Sequence, residues 1–307
     1  MRESRAFSRY VRTPGKLHSV NRRSGVLAGV APLVAVTACT LADPLDGLTG
    51  GQAAVGGHDA GPVPEAGDDG AGDVLRGPPY VVAVLEDQPV AYWRFGEPSG
   101  TRAADSSGNG NDATYVGAVS LGAPGAIAGD PDTAAGFDGA TAFVDAADRF
   151  AFGGTQPFSL EAWVDAASVG TYVGIASRDD AMTGPPSEGY LFFVGPNDGP
   201  LGFQRIDATN LSTASTTGTP SAGAYAYVVA TFDGVDMSVY LNGELQNTQT
   251  GSFTIAGATS HFVVAAEAGG TGNFFSGAID EAAVYDHPLT ADRVKTHWLV
   301  GRGQAAP

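Results

Sequence analysis

An all-β domain, a sandwich or barrel of about a dozen short antiparallel strands, is what the sequence predicts. Three observations predict it. Apolar residues recur with a period of two in many short runs. Gly, Pro, Asn and Asp cluster between those runs. Only one segment, residues 291–298, carries a helical pattern, behind the natural cap Thr290 and with Asp292 in its first turn.

Residues 225–249, YAYVVATFDGVDMSVYLNGELQNTQ, show the pattern most plainly. Ala226, Val228, Ala230 and Phe232 alternate with Tyr225, Tyr227, Val229 and Thr231, as a pleated strand needs in order to present two different faces. Asp233-Gly234 tolerates the positive φ of a tight hairpin turn, residues 237–241 run back, and Asn242-Gly243 turns the chain again. Three strands joined this way make an antiparallel meander that must bury one face against a partner sheet. Earlier in the chain, residues 90–95 place Ala91, Trp93 and Phe95 on one side. After the polar loop 105–112, Tyr115 and Val116 resume a strand; residues 134–137 lead into Asp138-Gly139, a third tight-turn pair, and residues 142–145 return. In FSLEAWV, residues 158–164, Phe158, Leu160, Ala162 and Val164 oppose Ser159, Glu161 and Trp163. Residues 172–177, 190–194, 201–205, 261–265, 274–279 and 281–285 are further strands.

A chain of 307 residues with this pattern allows one large β domain plus appendages. A domain of about 220 residues buries roughly 70% of its unfolded surface, enough for a core without metals or disulfides. Charge is lopsided. Seven of the 16 Lys and Arg residues fall in residues 1–38 with one of the 33 acids, so from Cys39 onward nine bases face 32 acids. Such a field repels nucleic acid and anionic headgroups, and otherwise serves solubility. Cys39 is the only cysteine, so the chain has no disulfide framework and no thiolate metal cluster.

The amino terminus reads as an address. Arg22-Arg23 precede an apolar run, residues 26–38, too short to span a bilayer. It ends Val36-Thr37-Ala38-Cys39, which resembles the lipobox of bacterial lipoproteins, with Val36 where Leu is usual. That resemblance implies a signal peptide over residues 1–38, cleavage before Cys39 and acylation of Cys39, a membrane contact through the lipid anchor alone. The alternative is an ordinary signal cleaved after Ala38 and a secreted product. Residues 40–79 hold ten Gly, five Pro, seven acids and no aromatic residue, so residues 39–79 are expected to form a disordered tether. Its reach as a flexible coil is roughly 35 Å. Thr40 stands where an inner-membrane retention signal often has Asp, which by analogy points to the outer membrane of the cell envelope.

The pieces YWRF, GTRAADSSGNGNDATYVG, GFDGATAFVDAAD, FSLEAWV, YVVATFDGVDMSVYLNGEL, GAIDEAAVYDHPLTADRV and a closing Trp298 resemble, in order, the laminin-G-like domain of the concanavalin A-like lectin/glucanase superfamily. The resemblance covers residues 80–300 and leaves 301–307 as a tail. It implies a jelly-roll sandwich of two curved antiparallel sheets and leaves function open among lectins, adhesion modules and glycosidases.

Catalytic patterns are sparse. Glucanases of that superfamily carry Glu-x-Asp-x-x-Glu or Glu-x-Asp-x-Glu on one strand, and neither spacing occurs. Glu161 and Asp165 share a strand face by their even offset, whereas Asp280 and Glu281 are expected to point to opposite faces. No Gly-x-Ser-x-Gly elbow or His-Glu-x-x-His pair is present, and His261, His287 and His297 are expected to serve local structure. Asp105, Ser107, Asn109 and Gly110 reproduce the first donors and the turn glycine of an EF-hand loop, although Val116 stands where its glutamate would be. By the resemblance, Asp280 would complete the set, so one structural Ca²⁺ held by Asp105, Asn111 and Asp280 is expected. The alternative is that Asp and Asn simply cap turns there. Trp163, Tyr172 and Tyr190, with Arg178 and Arg205, are candidate sugar-binding residues, against the alternative that sandwich aromatics are core. The expected function is non-enzymatic binding at the cell envelope, of a glycan or, as the alternative, of an envelope or extracellular protein; a hydrolase using Glu161 and Asp165 comes third.

Overall fold

The computed structural model describes residues 77–167, 170–180, 187–197 and 199–306. The expected signal, Cys39 and nearly all of the expected tether lie outside the described residues. In chain order come α1 (Pro79–Glu86), β1 (Ala91–Trp93), β2 (Arg102–Ala103), β3 (Ala113–Val116), β4 (Ser120–Pro124), β5 (Thr133–Asp138), β6 (Phe143–Asp145), β7 (Phe158–Ala166), β8 (Val173–Asp179), β9 (Gly189–Val194), β10 (Leu201–Ile206), β11 (Leu211–Ser215), β12 (Ala226–Phe232), β13 (Asp236–Leu241), β14 (Glu244–Thr250), β15 (Val263–Val264), β16 (Ser276–Tyr285) and α2 (Ala291–Gly301).

Among the described residues these strands form two antiparallel sheets of eight, an all-β sandwich as predicted. The first runs β14-β13-β12-β7-β16-β5-β4; β5 pairs with the amino-terminal part of β16 and β1 with its carboxy-terminal part. The second runs β11-β10-β9-β8-β15-β6-β3-β2. The predicted meander is β12-β13-β14, in the predicted order. Alternation sends Phe158, Leu160, Ala162 and Val164 of β7, with Val228, Ala230 and Phe232 of β12, into the core between the sheets, where they meet Tyr190, Phe192 and Phe203. Phe158 stacks on Phe152 at 4.7 Å and lies 4.5 Å from Tyr190.

The opposite faces of β7 and β12 are buried as well. Trp163, Tyr227, Val229 and Tyr285 build a second apolar layer with Tyr80, Val81 and Val84 of α1 and Val294 of α2. Under the helices lies Glu161, nearly inaccessible to solvent. It accepts hydrogen bonds from Tyr80 Oη at 2.6 Å and Tyr285 Oη at 2.9 Å, and faces His297 Nδ1 at 3.1 Å. His297 Nε2 in turn lies 3.0 Å from both the Ala83 carbonyl and Asp87 Oδ2, while Arg293 Nε donates to Asp87 Oδ2 at 2.8 Å. With acceptors at both ring nitrogens, His297 is an imidazolium. Burial works against that charge, but Glu161 and Asp87 raise its pKa to about 9.

Four features depart from the sequence expectation. Helix α1 stands where no helix was expected: its β-branched run is a weak helix former, yet Pro79 favours a helix start and one face packs on the sheet. Asp138-Gly139 is not a hairpin turn, since β5 belongs to the first sheet and β6 to the second. The Asp138 carboxylate instead accepts the amides of Ala140, Thr141 and Ala142, which shapes the crossing and holds its pKa below the usual carboxylate range. The two strands expected at residues 274–279 and 281–285 are one, β16, which begins at Ser276 and whose register shifts between Asp280 and Ala283, with Glu281 at φ 53°. The bulge couples the two acids that simple alternation would separate. Glu281, beside Tyr92 and Arg94, is pushed up to about 8 by burial and by Asp280. Finally, β2, β4 and β11 are strands that the alternation did not reveal.

A folded pKa above the ordinary 6.5 means that His297 contributes its full stabilisation below about pH 6.5 and loses it as pH rises through about 9. The contribution is on the order of 3 kcal/mol. Urea midpoints measured between about pH 6 and about pH 9.5 should therefore fall, and His297→Leu should lessen that dependence, leaving the part that the raised Glu281 pKa contributes. A wild-type midpoint constant across the window would contradict the linkage.

Candidate functional site

The helices cover one sheet, so the outer face of the other is where a ligand can meet strand residues. On β9, Tyr190, Phe192 and Val194 face the core, which turns Leu191 and Phe193 outward; the same logic turns Gly202 and Gln204 of β10 outward, opposite Ser215 and Thr213 of β11. These residues floor a groove of about 350 Å³, walled by Tyr172, Pro200, Leu211 and Glu267. Tyr172 is 49% exposed and meets Phe193 edge-on, ring centroids 5.3 Å apart. Phe193 lies flat because position 202 is glycine: a Cβ there would sit 2.3 Å from its ring. Gln204 Nε2 donates to Thr213 Oγ1 at 3.0 Å, which orients the carboxamide. Glu267 is buried in the wall, with Oε2 accepting from Asn273 Nδ2 at 2.8 Å. Burial, with the nearby Asp179 carboxylate, pushes the Glu267 pKa up to about 7, and burial pushes Asp179 up to about 6.

A larger hollow, about 740 Å³, lies among α1, residues 127–130 and the end of α2. Its charged side chains are already matched, Arg293 with Glu86 and Asp130 with Arg94, so it offers a ligand less polar chemistry than the groove.

Of the residues the sequence singled out for sugar binding, only Tyr172 lines the groove. Trp163 is in the first sheet, buried against Tyr80 and Tyr227. Tyr190 is in the core and donates to the Phe150 carbonyl at 2.7 Å. Arg178 is buried and held by the Ala258 carbonyl and by Asp148. Arg205 is fully buried, its guanidinium 3.7 Å from the Phe232 ring centroid and bonded to the carbonyls of Gly154, Gly251 and Phe253. Strand parity carried the signal that was missed: once Tyr190 is core, Phe193 is not. Glu267 follows β15 in irregular chain and has no such signal.

The acids behave similarly. Asp105 accepts the amides of Tyr92 and Ser107 on Oδ1 and that of Asn111 on Oδ2, as a turn cap does. Asn111 Nδ2 donates to the Val90 carbonyl at 2.7 Å. Asp280 Oδ2 instead accepts from the Ala126 amide at 2.7 Å, and no hydrogen bond joins Asp280 to Asp105 or Asn111. Among the described residues no group of three or more His, Cys, Asp or Glu side chains could hold a metal ion. Glu161 is sealed beneath the helices and Asp165 accepts the Gly223 amide at 2.7 Å, so the two do not form an open pair. His261 and His287 pair locally, with Asp145 and Asp286.

The sequence profile of the concanavalin A-like lectin/glucanases superfamily, laminin-G type, matches residues 138–295. The chain belongs to this family. As a concanavalin A-like protein it superposes on domain 4 of AbnA, a GH43 extracellular arabinanase from Geobacillus stearothermophilus solved in complex with arabinotriose: TM-score 0.55, 20% identity, 68% of this chain and 98% of that one. It also superposes on the binding domain of Paraclostridial Mosquitocidal Protein 1, with TM-score 0.54, 15% identity, 70% of this chain and 52% of that one, about half its length. At these identities the likeness is one of fold. No curated protein matches the chain.

Two outcomes follow from these placements. Arg205→Ala, which strips buried carbonyls of their donor, should cost roughly 3 kcal/mol in chemical denaturation, whereas Tyr172→Ala should stay within about 0.5 kcal/mol of wild type. Because backbone amides engage both oxygens of Asp105, thermal melting in calcium and in chelator should coincide. A rise of several degrees in calcium would point to an ion at Asp280, whose Oδ1 is buried without a hydrogen-bond partner among the described residues.

Proposed function

We propose that the protein binds glycans without transforming them, in the cell envelope, held there by a lipid on Cys39. The observation that carries the reading is the groove: the exposed Tyr172 ring, backed by the buried Phe193, beside the amide and hydroxyls of Gln204, Thr213 and Ser215. Sugar rings present apolar C–H faces and a rim of hydroxyls, and such a surface offers a partner to each. The sandwich of the arabinotriose-bound domain lends support, since a glycan can dock on this architecture. The non-catalytic part of the reading is supported by the engagement of Glu161 and Asp165 in structure.

A glycan array probed with the protein, followed by titration of the best ligand, tests the proposal. Tyr172→Ala should weaken that binding by roughly tenfold, the scale of one lost aromatic contact. No release of shorter sugars should appear on prolonged incubation. Binding unchanged in Tyr172→Ala would move the site elsewhere, and turnover would replace the binding reading with an enzymatic one.

A further inference from the structure

Within the groove one side chain is left in an unfavourable state by the fold itself. Glu267 is fully buried, and its Oε1 has no hydrogen-bond partner among the described residues. The neighbouring charge is Asp179, another carboxylate, whose Oδ1 accepts the amide of Ala268 at 3.0 Å. No Lys or Arg lines the groove among the described residues. The chain packs closely here: a Cβ at position 174 of β8 would lie 2.3 Å from the Ala266 carbonyl oxygen and 2.9 Å from Glu267 Cγ, so little space is left around the acid. A buried acceptor without a donor costs the empty fold free energy, and such a cost is commonly found where a ligand supplies the missing partner.

We infer that Glu267 is the specificity-determining residue of the groove, accepting a hydrogen bond from a hydroxyl of an uncharged glycan and turning anionic sugars away. This rests on the groove being the glycan site. An ionised carboxylate only accepts, and hydroxyls are the donors a neutral sugar offers. A uronic or sialic acid would bring a further carboxylate beside two acids that already resist ionisation together, with no cation in the lining to meet it. An ammonium sugar is disfavoured for a different reason. Burial keeps Glu267 partly protonated near neutral pH, which suits a hydroxyl better than a counter-ion. Because Oε1 is itself buried, binding requires Glu267 to turn toward the groove alongside Tyr172, whose ring is half exposed at the same wall.

The full-length protein titrated with cellotetraose and xylotetraose as neutral probes, trigalacturonate as the anionic probe and deacetylated chitotetraose as the cationic probe tests this. A neutral probe should bind best. Glu267→Ala should weaken it by roughly tenfold to a hundredfold, while melting stays unchanged or rises because a buried, unpartnered acid has gone. Glu267→Gln, which keeps an acceptor oxygen, should recover part of the affinity. Preference for trigalacturonate or the chitosan fragment, or neutral binding that responds to Tyr172→Ala but not to Glu267→Ala, would overturn the assignment and leave the glycan groove standing. Binding indifferent to Tyr172→Ala, or absent for every probe, would count against the groove itself.

Discussion

Glu161 is a carboxylate on the outward face of a central strand, almost without solvent, and the arrangement around the first sheet answers its need for donors. A buried charge costs several kcal/mol unless it is paired and hydrogen-bonded. Two tyrosines and an imidazolium supply that pairing, and they come from three places: Tyr80 on α1, Tyr285 at the end of β16 and His297 on α2. The same imidazolium reaches the carboxy-terminal end of α1 through the Ala83 carbonyl and Asp87. Two short helices, each too brief to be stable alone, are thereby tied to the sheet and to each other.

That tie makes the sandwich asymmetric. The first sheet is buried on both faces, which is why β12 and most of β7 are inaccessible along their length. Among the described residues no helix covers the second sheet, although β8 and β9 are also buried along their length. Its outer face holds the groove, shaped by two glycines that allow close approach: Gly202 beneath the Phe193 ring and Gly174 against the Ala266 carbonyl, next to Glu267. The buried acids of the two sheets are met differently. Both oxygens of Glu161 have donors, although Tyr227 Oη and Trp163 Nε1 in the same layer have no hydrogen-bond partner among the described residues. At Glu267 it is a carboxylate oxygen that is left over, the atom on which the proposed specificity rests.

Much of the fold was legible because strand parity is a local property. FSLEAWV and YAYVVATF sort their side chains in the predicted way, and Asp233-Gly234 and Asn242-Gly243 turn the chain in the predicted places. Parity fails at β16, where one extra residue at Asp280 and Glu281 resets the alternation. Turn chemistry misleads at Asp138, because a carboxylate that gathers three amides serves a hairpin and a sheet-to-sheet crossing equally well. The candidate site was less legible. Aromatic and cationic residues on strands were sensible choices, yet Trp163, Tyr190, Arg178 and Arg205 all found internal partners, and residue type does not report which of two faces is covered.

The sequence by itself determined the antiparallel sandwich, the meander, the capped helix at Thr290 and the acidic field, since each depends on neighbours along the chain or on composition. Only the tertiary structure decided that α1 is helical, that the first sheet is roofed and that Phe193, Gln204 and Glu267 meet Tyr172 in one groove. Those outcomes join residues far apart in sequence, and the free energy that selects them comes from burial and pairing that no local pattern encodes.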